Sequence, residues 1–383
     1  MQKKFNLILV IIITLFFNCK KEERHIIKIK PLDELKQIDE LLSNVADKPQ
    51  TFETTSNRIT KVTGKKGTVI YVNPVNLMTI DGSEIGEKIE IELLELTTSS
   101  SLALNNAQTQ SNGKLLVSGG AYYINFTSEG KQLKLKKGKS LEVEFPKLTE
   151  NEMGLFLGER DSLGQINWIA TKDKFKTKNI SDPIEPKKPK QKTTATILVE
   201  STELVESTEI DDILAFTKSD SLTAPEVVQK NEVSEKEYQE YLRKKEEYEK
   251  AKKQIEYERM TYEKVKLLNF GWINVDRFYE NPNPRIDIQL LVKNDSIKGA
   301  RIFTIFENIN SIMTEQYWKG RKDTIAFKEV PKEMNLTIVA LSVYDSVPLI
   351  FKKTITTKKN ELIDINFKTT TQDEIKKFFK KLN

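Results

Sequence analysis

Cysteine and histidine are almost absent. Cys19 and His25 are the only ones in the 383 residues, and both lie near the start. No disulfide can close within the chain. Cysteine-zinc sites and iron–sulfur clusters need several thiolates and are excluded. A Ser-His-Asp triad or a histidine-rich metal site would have to recruit His25, which sits in a charged stretch that reads as a solvated tether. No apolar run reaches the roughly 20 residues that carry a helix across a bilayer. Neither sign of charge dominates, with 61 Lys+Arg against 56 Asp+Glu and a net charge of +5. There is no dense arginine cluster and the lysines alternate with glutamates, so a nucleic-acid footprint is not expected.

What is present begins with a leader. Lys3 and Lys4 precede an uncharged apolar run from Phe5 to Phe17, which describes a secretory signal. Leu15-Phe16-Phe17-Asn18-Cys19 resembles a bacterial lipobox, with Asn18 an unusual choice at the small-residue position. The resemblance implies cleavage before Cys19 and lipid attachment, such as palmitate, at Cys19. Lys20-Lys21-Glu22-Glu23 resembles the short acidic-containing signal that sends some lipoproteins of the Bacteroidota to the cell surface. The expected location is therefore the outer membrane of the cell envelope, facing outward.

The body divides by pattern. Pro31 suits a first helical turn, and Leu32, Leu35, Ile38, Leu41, Leu42 and Val45 recur at helical spacing. This helix is expected to dock on the first domain. From Thr51 to Phe175 short strands alternate with turn signals at Asp81-Gly82, Ser111-Asn112-Gly113, Gly130 and Gly138. Gly119-Gly120 interrupts a strand and predicts a bulge or close backbone approach. From Lys176 to Val233 prolines, lysines and Ser/Thr/Glu repeats predict a disordered linker. Ser234 and Glu237 form a capping box for a charged helix running to Lys264. In that helix Tyr241, Tyr248, Ile255 and Tyr262 make a narrow stripe. The stripe fits a solvated helix leaning on the body, or a dimerising coiled coil. From Leu267 strands return, with Ile286–Val292 alternating first. Ile375, Phe378, Phe379 and Leu382 then line one face of a basic terminal helix, suited to the neighbouring sandwich or to a membrane surface.

The fold class expected is mainly β: two antiparallel β-sandwich-like domains joined by a disordered linker and one long helix. The chain divides into a signal peptide (1–18), a tether with an amphipathic helix (19–50), a β-domain (51–175), a linker (176–233), a long charged helix (234–264), a second sandwich (265–368) and a basic amphipathic helix (369–383). The runs Gly67-Thr68-Val69-Ile70-Tyr71-Val72, Asp81-Gly82 and Leu116-Val117-Ser118-Gly119-Gly120-Ala121-Tyr122-Tyr123, with Gly138-Lys139, resemble a ZU5-like β-domain of exported Bacteroidota proteins. The likeness covers about residues 60–147 and departs after Pro74, where an aromatic is expected near Leu77-Met78. It implies a fold and a compartment, and no activity.

Gly138-Lys139-Ser140 lacks the compact glycine turn and following helix of a phosphate loop. Ser111-Asn112-Gly113-Lys114 fits Ser-x-x-Lys but reads as a hairpin. No catalytic residue, cofactor or metal site is assigned. A carboxylate pair for glycan hydrolysis would draw first on Asp161, Asp276 or Asp287, in a cleft lined by Trp168, Trp272 or Trp318. Asp161 otherwise opens a turn, Asp276 pairs with a basic group, and Asp287 alternates on a strand. Asp-(Ser/Thr)-aliphatic triplets resemble the O-glycosylation sequon of exported Bacteroidota proteins and make Ser162, Ser221, Ser296, Thr324 and Ser346 candidate sites. The expected role is non-enzymatic binding or assembly at the cell surface. The expected contacts are the membrane, through the lipid, and a protein or glycan partner.

Overall fold

The computed structural model describes residues 33–161, 164–190, 192–197, 205–207, 227–232, 235–320 and 324–382. The leader, Cys19, His25, the cap at Ser234 and the candidate serines Ser162 and Ser221 lie outside them. The described residues are mainly β, with helices α1 (Asp33–Val45), α2 (Ser99–Leu104), α3 (Glu235–Arg259) and α4 (Gln372–Lys380).

Alternating apolar residues build two sandwiches. In the first, the large sheet runs in the order Gln50–Thr55, Lys88–Leu96, Lys114–Ser128, Gly271–Phe278, Gly154–Arg160, Ile166–Lys174. It faces a smaller sheet of Val265–Leu267, Leu141–Glu144, Val69–Val72 and Thr60–Thr63. Ile70, Ile91, Tyr122, Phe126, Phe145 and Val275 fill the space between. In the second sandwich, Thr324–Pro331, Arg285–Val292 and Glu361–Ile365 face a five-stranded sheet centred on Gly299–Phe306 and Asn335–Tyr344. All pairs there are antiparallel except Arg285–Val292 with Glu361–Ile365, which is parallel.

Three positions differ from the sequence reading. Gly271–Phe278, expected in the second sandwich, is a central strand of the first, between Lys114–Ser128 and Gly154–Arg160. Val265–Leu267 likewise pairs with Leu141–Glu144. The two sandwiches therefore meet at residues 279–284, and the segment 176–264 leaves and re-enters the first one. Secondly, α1 packs on strands Gly299–Phe306 and Asn335–Tyr344 of the second sandwich as well as on the first. Its stripe was legible, but an apolar stripe does not name the surface that covers it. Thirdly, the described parts of 191–233 form a small antiparallel sheet of Lys192–Ile197, Val205–Ser207 and Val227–Glu232. β-branched Thr193, Thr194, Ile197, Val227 and Val228 favour strands despite the polar composition.

Other expectations hold. Gly119 and Gly120 together oppose Val275, so the ladder shifts register there as a bulge. Gly120 takes φ +121°, open to glycine alone at low cost. Ile375 and Phe379 of α4 are fully buried, so the terminal helix docks by its apolar face on the seam between the sandwiches. Ser111 and Lys114 close a hairpin with Asn112 and Gly113 at positive φ.

Hydrogen bonds fasten the sandwiches to each other. The Thr109 N–H donates to the Ile312 carbonyl at 2.9 Å, and the Ser118 N–H to that of Asn310 at 2.9 Å. Asn310 Nδ2 also donates to the Ser118 carbonyl at 3.0 Å.

Candidate functional site

The seam between the sandwiches gathers most of the unusual chemistry. Strand Gly299–Phe306 is buried along its whole length because both faces are covered. Ala300, Ile302 and Phe306 point into the second sandwich, and Phe303 and Ile305 into the seam beneath α1. Alternation places Arg301 on the seam side, where its side chain is 1% exposed. Its Nη2 lies 2.5 Å from Oδ1 of Asp39 on α1, and Asp39 is 53% exposed. The pair thus opens to solvent on one side only. Among the described residues, Nε and Nη1 of Arg301 have no hydrogen-bond partner. Burial pulls the Arg301 pKa below its ordinary value and lifts that of Asp39, so desolvation outweighs the attraction on both partners.

A second arginine closes the cluster. Arg160 Nη1 donates to the carbonyls of Asn106 and Gly164, and its Nη2 to that of Asn105 at 2.9 Å. Its guanidinium lies 4.4 Å from the Trp272 ring, a cation–π contact. Burial, then the charge of Arg301, lower its pKa to about 10, which leaves it cationic at neutral pH.

All three tryptophans converge here. Trp168 is fully buried and donates from Nε1 to the Gln108 carbonyl at 2.7 Å, while Trp272 and Trp318 pack against the same core. Gly158 pairs with both Trp168 and Trp272 across the sheet, and its missing side chain lets the two rings meet edge to face at 6.4 Å. A Cβ on Gly158 would stand 2.6 Å from Ile166 Cδ1 and Trp168 Cζ3. Gly158→Ala is expected to cost about 1–3 kcal/mol of unfolding free energy. The midpoint of denaturant unfolding reads this directly, and an unchanged midpoint would mean that the rings part freely.

The carboxylates do not converge with the tryptophans into a cleft. Asp161 opens the turn to Gln165, accepting from the Gln165 N–H at 2.9 Å. Asp287, half-buried on the central strand of the three-stranded sheet, accepts from the Glu329 N–H at 3.3 Å. Asp276 is 0% exposed and meets no basic group among the described residues, contrary to the pairing expected for it. Asn274 Nδ2 donates to its Oδ2 at 2.6 Å, beside Ser118 and the Gly119-Gly120 bulge. Burial pushes its carboxyl well above the usual range. A sealed carboxyl beside the bulge cannot reach a glycan. Among the described residues, no group of three or more His, Cys, Asp or Glu side chains is placed to hold a metal ion.

The remaining candidates are dispersed over the second sandwich. Ser296 is exposed in the turn closed by Asn294, and Thr324 is half-buried at a strand start. Asp345 and Ser346 form the exposed hairpin turn between Asn335–Tyr344 and Val347–Thr356, at φ +45° and +64°. Arg160, Arg301 and Asp39 were missed. The signal for Arg301 was available, since it is the sole charge in the apolar run Gly299–Phe306.

The second unusual feature is an arm. Residues 176–190 rise from the first sandwich as an extended leg, and α3, 25 residues and about 37 Å long, returns. The tip sheet joins their far ends, since Lys192 pairs with Glu232. At the base, the Glu263 N–H donates to the Lys176 carbonyl at 2.8 Å and Lys178 Nζ meets Glu144 Oε2 at 2.7 Å. Burial opposes ionisation of Glu144, but Lys178, Tyr71 and Thr261 outweigh it and hold the carboxyl below its ordinary pKa. Arg259 pairs with Asp182 at 2.9 Å. Pro186 and Pro189 of the leg line a groove of about 1160 Å³ with Tyr241 and Tyr248 of α3, so the tyrosine stripe faces the chain's own leg. No residue of α3 is buried. Ile184 is 94% exposed, and Leu242, Tyr257 and Met260 are exposed as well.

No protein-family model, no curated protein and no solved structure matches the chain. Among the described residues no helix is long and apolar enough to cross a membrane.

Proposed function

We propose that the chain is a lipoprotein of the cell envelope, held by a lipid on Cys19 at the outer membrane surface. Its body, led by a ZU5-like domain, is a rigid, non-enzymatic platform for a protein or glycan partner. The observation that carries the binding role is the arm. It contributes a helix with no buried residue and a leg with Ile184 in solvent. Such a structure adds little to the core of the fold, and exposed apolar groups rimmed by charge suit a partner.

Two experiments test the reading. Co-purification from detergent-solubilised membranes should recover a partner with the whole chain and lose it when the arm is excised. For the anchor, Cys19→Ser should move the protein from the membrane fraction to the soluble fraction and abolish labelling by an alkyne fatty acid. Equal labelling of both forms would end the lipoprotein reading.

A further inference from the structure

We propose that the cavity between α1, α2 and α4 binds a phosphate group. The cavity measures about 480 Å³, and Lys48, Lys66, Lys376 and Lys380 line it. The lysines come from three parts of the chain: the turn after α1, the turn before strand Val69–Val72, and α4. α4 is fixed by Ile375 and Phe379, which sink into the seam and leave Lys376 and Lys380 one turn apart at the cavity. Like charges at that spacing repel, which a bound anion relieves.

None of the four lysines has a carboxylate within ion-pair distance among the described residues. Lys48 Nζ donates only to the Ser43 carbonyl, at 2.7 Å. The cavity's buried acid is already saturated. The Glu95 carboxylate accepts from Gln50 Nε2 at 2.7 Å, the Lys66 N–H at 2.9 Å and the Thr68 N–H at 3.0 Å. Asp47 is the one other acid at the cavity. Ser100 also lines it, at 3% exposure, and its hydroxyl has no partner among the described residues. Four exposed lysines and a buried serine hydroxyl lining one cavity suit a compact, multiply charged, oxygen-rich anion. A carboxylate would balance only one of the charges, whereas a phosphate balances more and accepts from ammonium and hydroxyl donors together.

The phosphate could come from a soluble ester or from a lipid headgroup. On the lipoprotein reading α1 begins 14 residues after the lipid, a reach of at most about 50 Å when extended, so the membrane is accessible. The test uses the full-length chain in detergent micelles. Calorimetric titration with pyrophosphate should show binding that weakens about tenfold or more in Lys376→Gln/Lys380→Gln and in Lys66→Gln. Lys358→Gln/Lys359→Gln, exposed in the turn before Glu361–Ile365, should leave it unchanged. If pyrophosphate does not bind, a preference for phosphatidylglycerol over neutral phosphatidylcholine vesicles that is lost in the same cavity variants identifies a headgroup as the source. Lys66→Gln lies away from α4, so agreement between the two variants separates loss of the site from local disturbance of the helix. The proposal is overturned if the whole chain shows neither response, or if the cavity variants respond as the whole chain does.

Discussion

Asp276→Asn is expected to stabilise the protein at pH 7 and to leave it nearly unchanged at pH 4. The native carboxyl is fully buried and its pKa is raised, so the folded state keeps a proton that the unfolded state releases above about pH 3.9. The folded state then binds more protons, and stability falls as pH rises. The loss is on the order of 1 kcal/mol per pH unit, and it continues until the native carboxyl itself ionises. Asparagine keeps an acceptor for Asn274 Nδ2 and has no charge to release, so this loss disappears. Other titrating groups are common to both proteins and cancel in the difference. Asp276→Leu removes the acceptor and should destabilise at every pH, by about 1–3 kcal/mol. Denaturant unfolding at pH 4, 5.5 and 7 provides the measurement. A constant difference between Asp276→Asn and the parent would show that the native carboxyl titrates as it does in the unfolded chain.

The raised pKa has a local origin. The bulge at Gly119-Gly120 breaks the ladder beside Asp276, and the freed backbone and Ser118 take part in its surroundings. Ser118 Oγ accepts from the Gly120 N–H at 3.0 Å, so the hydroxyl repairs the ladder where the extra residue interrupts it. Glycine doublets of this kind are readable in a sequence, and the bulge was expected. The buried acid across from it was not, because an Asp in an alternating strand looks the same whether its face meets water or a second domain.

The same limit explains the rest. Leu35, Ile38, Leu41, Leu42 and Val45 are all buried, as their spacing required. Helical periodicity is a local property and is preserved in the fold. The covering surface is not local: α1 packs on strands more than 250 residues later. The strand Gly271–Phe278 has an equally clear pattern, yet its partners lie at 114–128 and 154–160. Its position after a long polar excursion suggested a new domain, whereas the excursion is an insertion. Arg301 required knowledge of both faces of its strand. One face alone predicts an exposed charge at the edge of a sandwich, and only the docking of α1 makes it buried and paired with Asp39. The arm was partly legible. The seven-residue tyrosine spacing marks the half-buried side of α3, and Tyr262, the last of the series, is 2% exposed at the base. What the spacing could not give is the surface it meets, which is the proline leg of the same chain.

Excision of the arm is expected to leave the body folded and to abolish partner recovery. Thr177 bridges Tyr262 and the Glu263 N–H donates to the Lys176 carbonyl, so the two legs are neighbours at the base. Removing Asn179–Arg259 and joining Lys178 to Met260 by a short Gly-Ser turn closes a gap that the ladder already spans. It deletes no residue of the described core, because α3 buries none, and Lys178 keeps its bond to Glu144. A shorter connection also costs less entropy to close. The thermal midpoint should therefore move by no more than a few degrees, equivalent to about 1 kcal/mol. Tyr262→Ala provides the contrast. Tyr262 stacks with Phe175 at 5.2 Å in the core of the first sandwich, and its truncation should cost about 3–5 kcal/mol. If the excised chain recovers the same partners, binding resides on the sandwiches and the arm is not the docking element. If it fails to fold while Tyr262→Ala folds, the arm supports the core and the case for a free binding element falls.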